Sequence, residues 1–454
     1  MFDLRVVAAT GLVGYGFPEA SLRAALDTNP HVVGGDGGSC DPGPYYLGAG
    51  VSFTGRNAVK RDVALMLTGA LRKNIPMIIG SAGGAGGAPH VAWVREIIEE
   101  IAREQGLHFR MAIVHAEQDK GYVLGKLAAG KVKPLGPVPD LTERDVERAE
   151  RIVGMMGAEP MIKALDAGAQ VVLTGRSSDA AIYAAVPLRE GFPPGLAWHL
   201  GKIIECGAAV AEPKIGSDCM LGYLRGDHFI VECPNPQKIC TRVRVAAHTL
   251  YENASPFHLY EPSGMIDTSM CTYEQSDART VKVSGSRFVP ADRYTIKLEG
   301  AQCVGYRTIS IAGTRDPILI RQIDAYVGQV HSVLDERAKS IGLSPADYKS
   351  KFRLYGKRGV MEADEPKPDD VGHELGIVID VVGRTQEIAN DVLAMARTLT
   401  LHTEFEGRLC IAGNMAFPYS PSDIPVGPVY RFSLWHLVEP ADPYEMFPME
   451  LVQV

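Results

Sequence analysis

Hydrophobic and polar positions over the first 186 residues fall into a repeating unit. A short apolar run leads into a glycine-rich or polar loop and then an amphipathic helical stretch. Leu4–Ala9 is the first run, followed by the glycines of 11–16 and a helical pattern through Leu26. His31–Val33 is the second, followed by a long loop over 34–50 and a helix over Asn57–Lys73. Ile75–Ile79, Phe109–His115 and Val171–Leu173 open further units, leading to helices over His90–Glu104, to Ala129, and from Asp179. A proline-bearing link at 133–140 precedes a capping pattern at Thr142, and helical residues continue towards Ala167 with a break near Pro160. Short buried runs alternating with helices predict an α/β fold built on a doubly wound, mostly parallel sheet. Ligands of such sheets sit outside the carboxyl ends of the strands. The loops 10–16, 34–50, 80–89, 115–119 and 174–179 all follow strands and are expected to open there.

The period changes near Pro213. Alternation at 228–233, 239–247, 279–285, 294–300 and 304–313 predicts a β-rich, mostly antiparallel middle region. A helix over Pro317–Ile341, a charged link at 361–370, a buried strand over Leu375–Val382 and a helix over Thr385–His402 return the chain to α/β. The expected organisation is an α/β domain over 1–212, a β-rich region over 213–316, and a C-terminal α/β segment over 317–454 with a capping loop at 413–423.

Composition narrows the function classes. The chain has 454 residues and a net charge of −8, which gives no basic footprint for nucleic acid or an anionic membrane. No apolar run approaches the roughly 20 residues of a membrane helix. The N-terminus lacks a basic n-region and reads as a first strand. Eight scattered cysteines without zinc spacing point to free thiols in a reducing cytoplasm.

The loop GGDGGSCDPGPYYLGAG (34–50) concentrates the candidate chemistry. Its glycines and prolines leave it neither helix nor strand, and they hold Asp36, Ser39, Cys40, Asp41 and Tyr45 in a rigid frame. Asp36 and Asp41 are candidates for proton transfer, with His115 at a neighbouring strand end. GSAGGAGG (80–87), with Ser81, Gly83 and Gly84, suits an anion at a helix N-terminus, although close helix–strand packing explains such glycines equally well. It lacks the ending of a P-loop, and GLVGYG (11–16) lacks dinucleotide spacing, which leaves nicotinamide binding a weak alternative resting on Asp36. TGRSSD (174–179) supplies Arg176, whose planar fork suits a carboxylate or phosphate, with Ser177 and Asp179 beside it. Asp179 also reads as a simple helix cap. A divalent metal is an open option among Asp36, Asp41, His90, His115, Glu117 and Asp119, with no diagnostic spacing. Cys40 is a thiol nucleophile only if loop amides depress its pKa. His248, Glu252, Ser286 and Arg287 in the middle region, and Asn414, Ser420, Ser422 and Asp423 in the tail, complete the polar set.

Several of these stretches carry a family likeness. DGGSCDPGPYYLGAG (36–50), GSAGGAGGAPH (80–90), HTLYE (248–252), RTVKVSGSRFVPA (279–291), KLEGAQCVGYRTISIAGTRDPILI (297–320) and GRLCIAGNMAFPYSPSD (407–423) resemble the acyclic terpene utilisation AtuA family. The family often has Thr or another small residue where Cys40 stands, which reads Cys40 as a small loop residue. The resemblance implies an enzyme of terpenoid or organic-acid catabolism acting on a small anionic carboxylate or an acyl-CoA. Addition or elimination of hydratase, dehydratase or isomerase type needs no organic cofactor, only acid, base and oxyanion stabiliser. Larger family members carry a further ferredoxin-like domain. The resemblance therefore also implies a small partner chain, or a non-catalytic subunit that needs one. A homo-oligomer is expected.

Overall fold

The structure, a computed structural model, describes residues 3–411 and 414–454. Gly413, which opens the expected tail loop, lies outside them. The chain divides into two compact units, Met1–Gln302 with Phe432–Val454, and Cys303–Arg431.

The first unit is built on a mixed sheet of ten strands among the described residues. Five run parallel: β1 (Leu4–Ala8), β2 (Val32–Asp36), β3 (Met77–Gly80), β4 (Arg110–Val114) and β5 (Val171–Thr174), in the order β1-β2-β3-β5-β4. Beyond β1 the sheet continues antiparallel through β6 (Met220–Leu224), β7 (His228–Glu232), β9 (Val281–Ser284) and β8 (Thr272–Gln275). At the other edge β10 (Met449–Gln453) pairs antiparallel with β4. The sheet is therefore mixed where the repeating pattern predicts a mostly parallel one. The reason is local. Only three residues join β6 to β7, and a connection that short allows only antiparallel pairing.

Alternate residues of the parallel strands feed two apolar clusters. Val7, Val33, Met77, Ile79, Met111 and Leu173 pack with the helices Glu19–Asp27, Arg56–Lys73 and Ala88–Gln105. Leu4, Val6, Val32, Ile78, Val114 and Val172 pack with Glu159–Asp166, Asp179–Arg189 and Pro194–Ile204. The helix Ala88–Gln105 shows the cause: Val91, Val94, Ile97, Ile98 and Ile101 recur on one face and are all buried. Gly106, at φ +61, stops it in the left-handed conformation that glycine permits.

Three expectations from local pattern are corrected. The stretch expected to be helical from Thr142 towards Ala167 is interrupted by a strand, Arg151–Met155, which pairs with Lys297–Ala301. Its β-branched Ile152 and Val153 are buried there. ICTRVRVAA, expected as a strand over 239–247, is largely the helix Arg242–Thr249, because the Thr241 side chain caps Arg244 N. The two strands expected at 294–300 and 304–313 are one, Ile296–Thr314.

The second unit is an antiparallel sheet in the order Tyr348–Tyr355, Leu375–Gly383, then the 306–314 part of Ile296–Thr314. Leu375–Gly383 alternates strictly between buried and half-buried positions, and its buried face packs with the helices Ile323–Ser340 and Gln386–His402. No described helix is long and apolar enough to cross a membrane. Among the described residues no disulfide joins any of the eight cysteines.

Candidate functional site

The carboxyl ends of β1, β2, β3 and β5 meet as a set of interlocked loops. Gly37 N donates to Gly80 O at 2.8 Å, Ser81 N to Gly175 O at 3.0 Å, and Val13 N to Asp36 O at 2.7 Å. Buried Asp62 fixes the first loop by accepting from Gly14 N at 2.9 Å and Gly16 N at 3.0 Å. Gly11 approaches the 206–207 turn so closely that a Cβ would stand 2.5 Å from Cys206 O. Gly207, at φ +55, meets Gly11 N from the other side.

A cavity of about 380 Å³ opens between these loops. Its wall includes Leu12, Tyr15, Asp36, Ser39, Asp41, Asp179, Cys206, Lys214, Tyr251 and Glu252. Five residues singled out in the sequence thus share one space: Asp36, Ser39, Asp41, Asp179 and Glu252. Asp36 is 5% exposed, and its Oδ1 accepts from Gly38 N at 3.1 Å. Burial first, and the Asp179 carboxylate second, push Asp36 well above the usual carboxylate range. Burial also raises Asp179, against the pull of Arg176 and Lys202. Asp41 is exposed at the rim, and its backbone N donates to Ser39 Oγ at 3.2 Å. Lys214, also exposed, has no ion-pair partner among the described residues. Glu252 holds a left-handed φ of +60, unusual for a residue with a side chain.

Beneath the cavity lies a network of buried charges. Arg176 is 3% exposed and is not part of the cavity wall. Its Nε donates to Glu299 at 2.8 Å, and its Nη1 reaches Ser81 Oγ at 3.2 Å, Ser177 O at 2.5 Å and Asp179 at 3.3 Å. Against the cost of burial, Arg176 and Lys297 hold Glu299 down at about 2. Lys202 Nζ donates to Glu205 Oε1 at 2.5 Å, and burial lifts Glu205 to about 8. Glu261 is half-buried and lines a separate cavity of about 620 Å³; its Oε2 is shielded and without a hydrogen-bond partner among the described residues, and burial raises the carboxyl to about 8. Ser178 Oγ donates to its other oxygen at 2.9 Å.

The remaining candidates lie outside the cavity wall. Ser81, Gly83 and Gly84 are buried in a loop whose Ser81, Ala82, Gly84 and Gly86 amides all donate within the protein. Ser177 is buried beside Ser81, its N donating to Ser81 Oγ at 3.2 Å. His115 contacts Glu450 at 3.2 Å beside β10. His90 Nε2 lies against Tyr46 O and Val51 O, at 3.1 and 3.0 Å. Glu117 accepts from Ala88 N, and Asp119 caps the next helix through Tyr122 N. These four therefore have separate local partners. Tyr45 packs edge-on to Tyr46, and Arg287 is exposed on the strand Arg287–Pro290. Asn414, Ser420 and Asp423 belong to the second unit. Thr314 Oγ1 donates to Asn414 O, Asp423 pairs with Arg397 at 2.6 Å, and Ser420 is exposed. Cys40 is 1% exposed, and burial with the nearby Glu299 pushes its thiol well up, which disfavours a thiolate.

Sequence reasoning missed Lys202, Glu205, Cys206, Lys214 and Glu261. For three of them a signal exists: Lys202, Glu205 and Cys206 close the otherwise apolar run LAWHLGKIIEC, and a charged pair i, i+3 inside a buried helix needs a reason.

The molecule is thus a mixed α/β protein with an acid-lined cavity at the carboxyl edge of its parallel strands. It belongs to the acyclic terpene utilisation family: the family model described as "acyclic terpene utilisation family protein AtuA" matches residues 57–405. No curated protein and no solved structure matches the chain.

Proposed function

We propose that this chain is an enzyme of terpenoid or organic-acid catabolism that adds or eliminates across an activated carbon of a small carboxylate or its coenzyme A thioester. The observation that carries this reading is Asp36, a buried carboxyl pushed well above the usual carboxylate range by burial and by Asp179, yet forming part of the cavity wall. A carboxyl raised in this way is suited to donating a proton, and a second carboxyl at the same cavity supplies the complementary acceptor. Asp36 takes the donor role, and the exposed Asp41 at the rim takes the acceptor role. The anionic end of the substrate meets Lys214, because Arg176 is already neutralised by Glu299 and Asp179. Family membership supports the terpenoid context. Hydration, dehydration and isomerisation all use this donor–acceptor pair and differ only in whether water is gained or lost.

The test is proton exchange at substrate carbon. Branched acids and their coenzyme A thioesters are incubated with the protein in D₂O, and deuterium incorporation is read by mass spectrometry. Asp36→Asn should lower the exchange rate by about 10²–10⁴-fold, the ordinary contribution of a positioned acid or base, without lowering the melting temperature. A folded Asn variant with wild-type exchange would remove Asp36 from the chemistry.

A further inference from the structure

The helix Pro194–Ile204 runs out into Glu205 and Cys206, and the helix Arg242–Thr249, which carries His248, packs beside it. One donor atom from each of Glu205, Cys206 and His248 lies within 4.8 Å of the other two. Glu205 and His248 are buried, while Cys206 is half-buried and forms part of the cavity wall. His248 is only 8% exposed, and its Nε2 is shielded from solvent without a hydrogen-bond partner among the described residues. Buried imidazole nitrogens are almost always paired, so an orphaned one calls for a partner that is not a protein group.

We propose that Glu205, Cys206 and His248 form a site for a divalent transition metal of the zinc class, with the cavity supplying its open coordination position. The donor set decides the metal. Sulfur, imidazole and carboxylate together suit Zn²⁺ or Co²⁺, whereas Mg²⁺ and Ca²⁺ prefer oxygen alone. Three protein ligands with a fourth position open to a cleft is the arrangement of reactive rather than purely structural zinc. Tetrahedral zinc ligands stand roughly 3.3–3.8 Å apart, so small side-chain rotations close the present cluster.

Two ammonium groups work against a cation here, and both have a place in the balance. Lys202 engages Glu205 Oε1 at 2.5 Å, which leaves Oε2 as the donor oxygen. Lys214 stands on the exposed cavity wall. Opposing them, the carboxylates of Asp41, Asp179 and Glu252 line the same cavity. Binding converts the Cys206 thiol to a thiolate bonded to the metal and takes Glu205 as its carboxylate, and any proton either group carries leaves to solvent.

The site is tested on the intact chain with metal alone, so its outcome does not depend on turnover or on Asp36. After removal of metal with a chelator, equilibrium dialysis should load one Zn²⁺ per chain. Co²⁺ in its place should give the near-ultraviolet sulfur-to-cobalt absorption band. Cys206→Ser should abolish that band, and Cys206→Ser and His248→Gln should each weaken zinc binding by at least about a hundredfold. Cys271→Ser, which alters the thiol 3.8 Å from His199, should change neither. If His248→Gln does not fold, Cys206→Ser carries the test alone, since it keeps the size of a half-buried side chain. A cobalt band that survives in Cys206→Ser, or wild-type zinc affinity no tighter than that of the variants, overturns the site.

Discussion

Arg176 shows what a single residue's surroundings add to its sequence context. Its position at a strand end, in TGRSSD, marks it as an anion receiver, and nothing in the local sequence reveals Glu299 more than a hundred residues away. The structure brings the two together at 2.8 Å and completes the guanidinium's contacts with Ser81, Ser177 and Asp179. A buried charge with its partners in place tolerates little change. Arg176→Lys keeps the charge but loses the fork, and should lower stability by about 1–3 kcal/mol. Arg176→Met removes the charge and leaves Glu299 to Lys297 alone, and should cost about 3–5 kcal/mol. Urea unfolding of both variants checks the order, and a Met variant as stable as the wild type would show that the ion pair is dispensable. Asp36, Ser39, Asp41 and Asp179 were legible in the sequence because they punctuate strand ends, where side chains of a parallel sheet meet. Glu205 and Cys206 were missed, because their one local signal is a Lys–Glu pair closing an apolar helix, with no motif to say what it serves.

At the scale of elements, the loop Ser81–Gly87 is the clearest case of one pattern with two readings. Glycines between a strand and a helix suit both an anion and close packing, and the sequence leaves the two equal. The backbone favours packing here: a Cβ on Gly86 would stand 2.1 Å from Arg176 N, and its φ of +67 is itself strained for any side chain. Gly86→Ala must therefore shift main chain at the point where the loops after β3 and β5 interlock. The expected loss is about 2–4 kcal/mol, read by thermal or chemical unfolding. Gly43, at φ +113 but with open space around it, is the control: its Ala variant should lose only the backbone cost of a conformation side chains rarely adopt, with no clash. The strand–helix alternation was readable because buried stripes of period two and 3.6 differ sharply. Arg151–Met155 and Arg242–Thr249 were not, since each is only five to eight residues long and its state depends on a distant partner or a single cap. The antiparallel extension of the sheet beyond β1 was hidden for a related reason: which strands share a sheet is a long-range fact, and alternation reports only that one face is buried.

For the whole molecule, buried acids make stability a function of pH with a definite sign. Glu261 is the simplest to follow, being raised from 4.5 to about 8 chiefly by burial. The folded chain then holds a proton that the unfolded chain releases, so the stabilisation is complete below about 4.5 and is lost as pH rises towards 8. Asp36 is shifted in the same direction and adds to the slope. The first unit should therefore unfold more readily at pH 8 than at pH 5.5, the reverse of a protein dominated by salt-bridged carboxylates. Glu299, held down at about 2 by Arg176 and Lys297, opposes this only at acid pH, where its own stabilisation is lost as pH falls through the folded value. Glu261→Gln separates the contributions. The amide carbonyl keeps the hydrogen bond from Ser178 Oγ, while the proton that links folding to pH is gone. Across pH 5.5–8 the variant should lose less stability than the wild type, by roughly 3 kcal/mol, which is what one proton released between those pH values contributes. Denaturant unfolding of both proteins at several pH values within that window gives the two slopes. Parallel slopes would mean that the Glu261 carboxyl is reached by water and ionises normally, and the raised acids that set the slope would then be reduced to Asp36, Asp179 and Glu205.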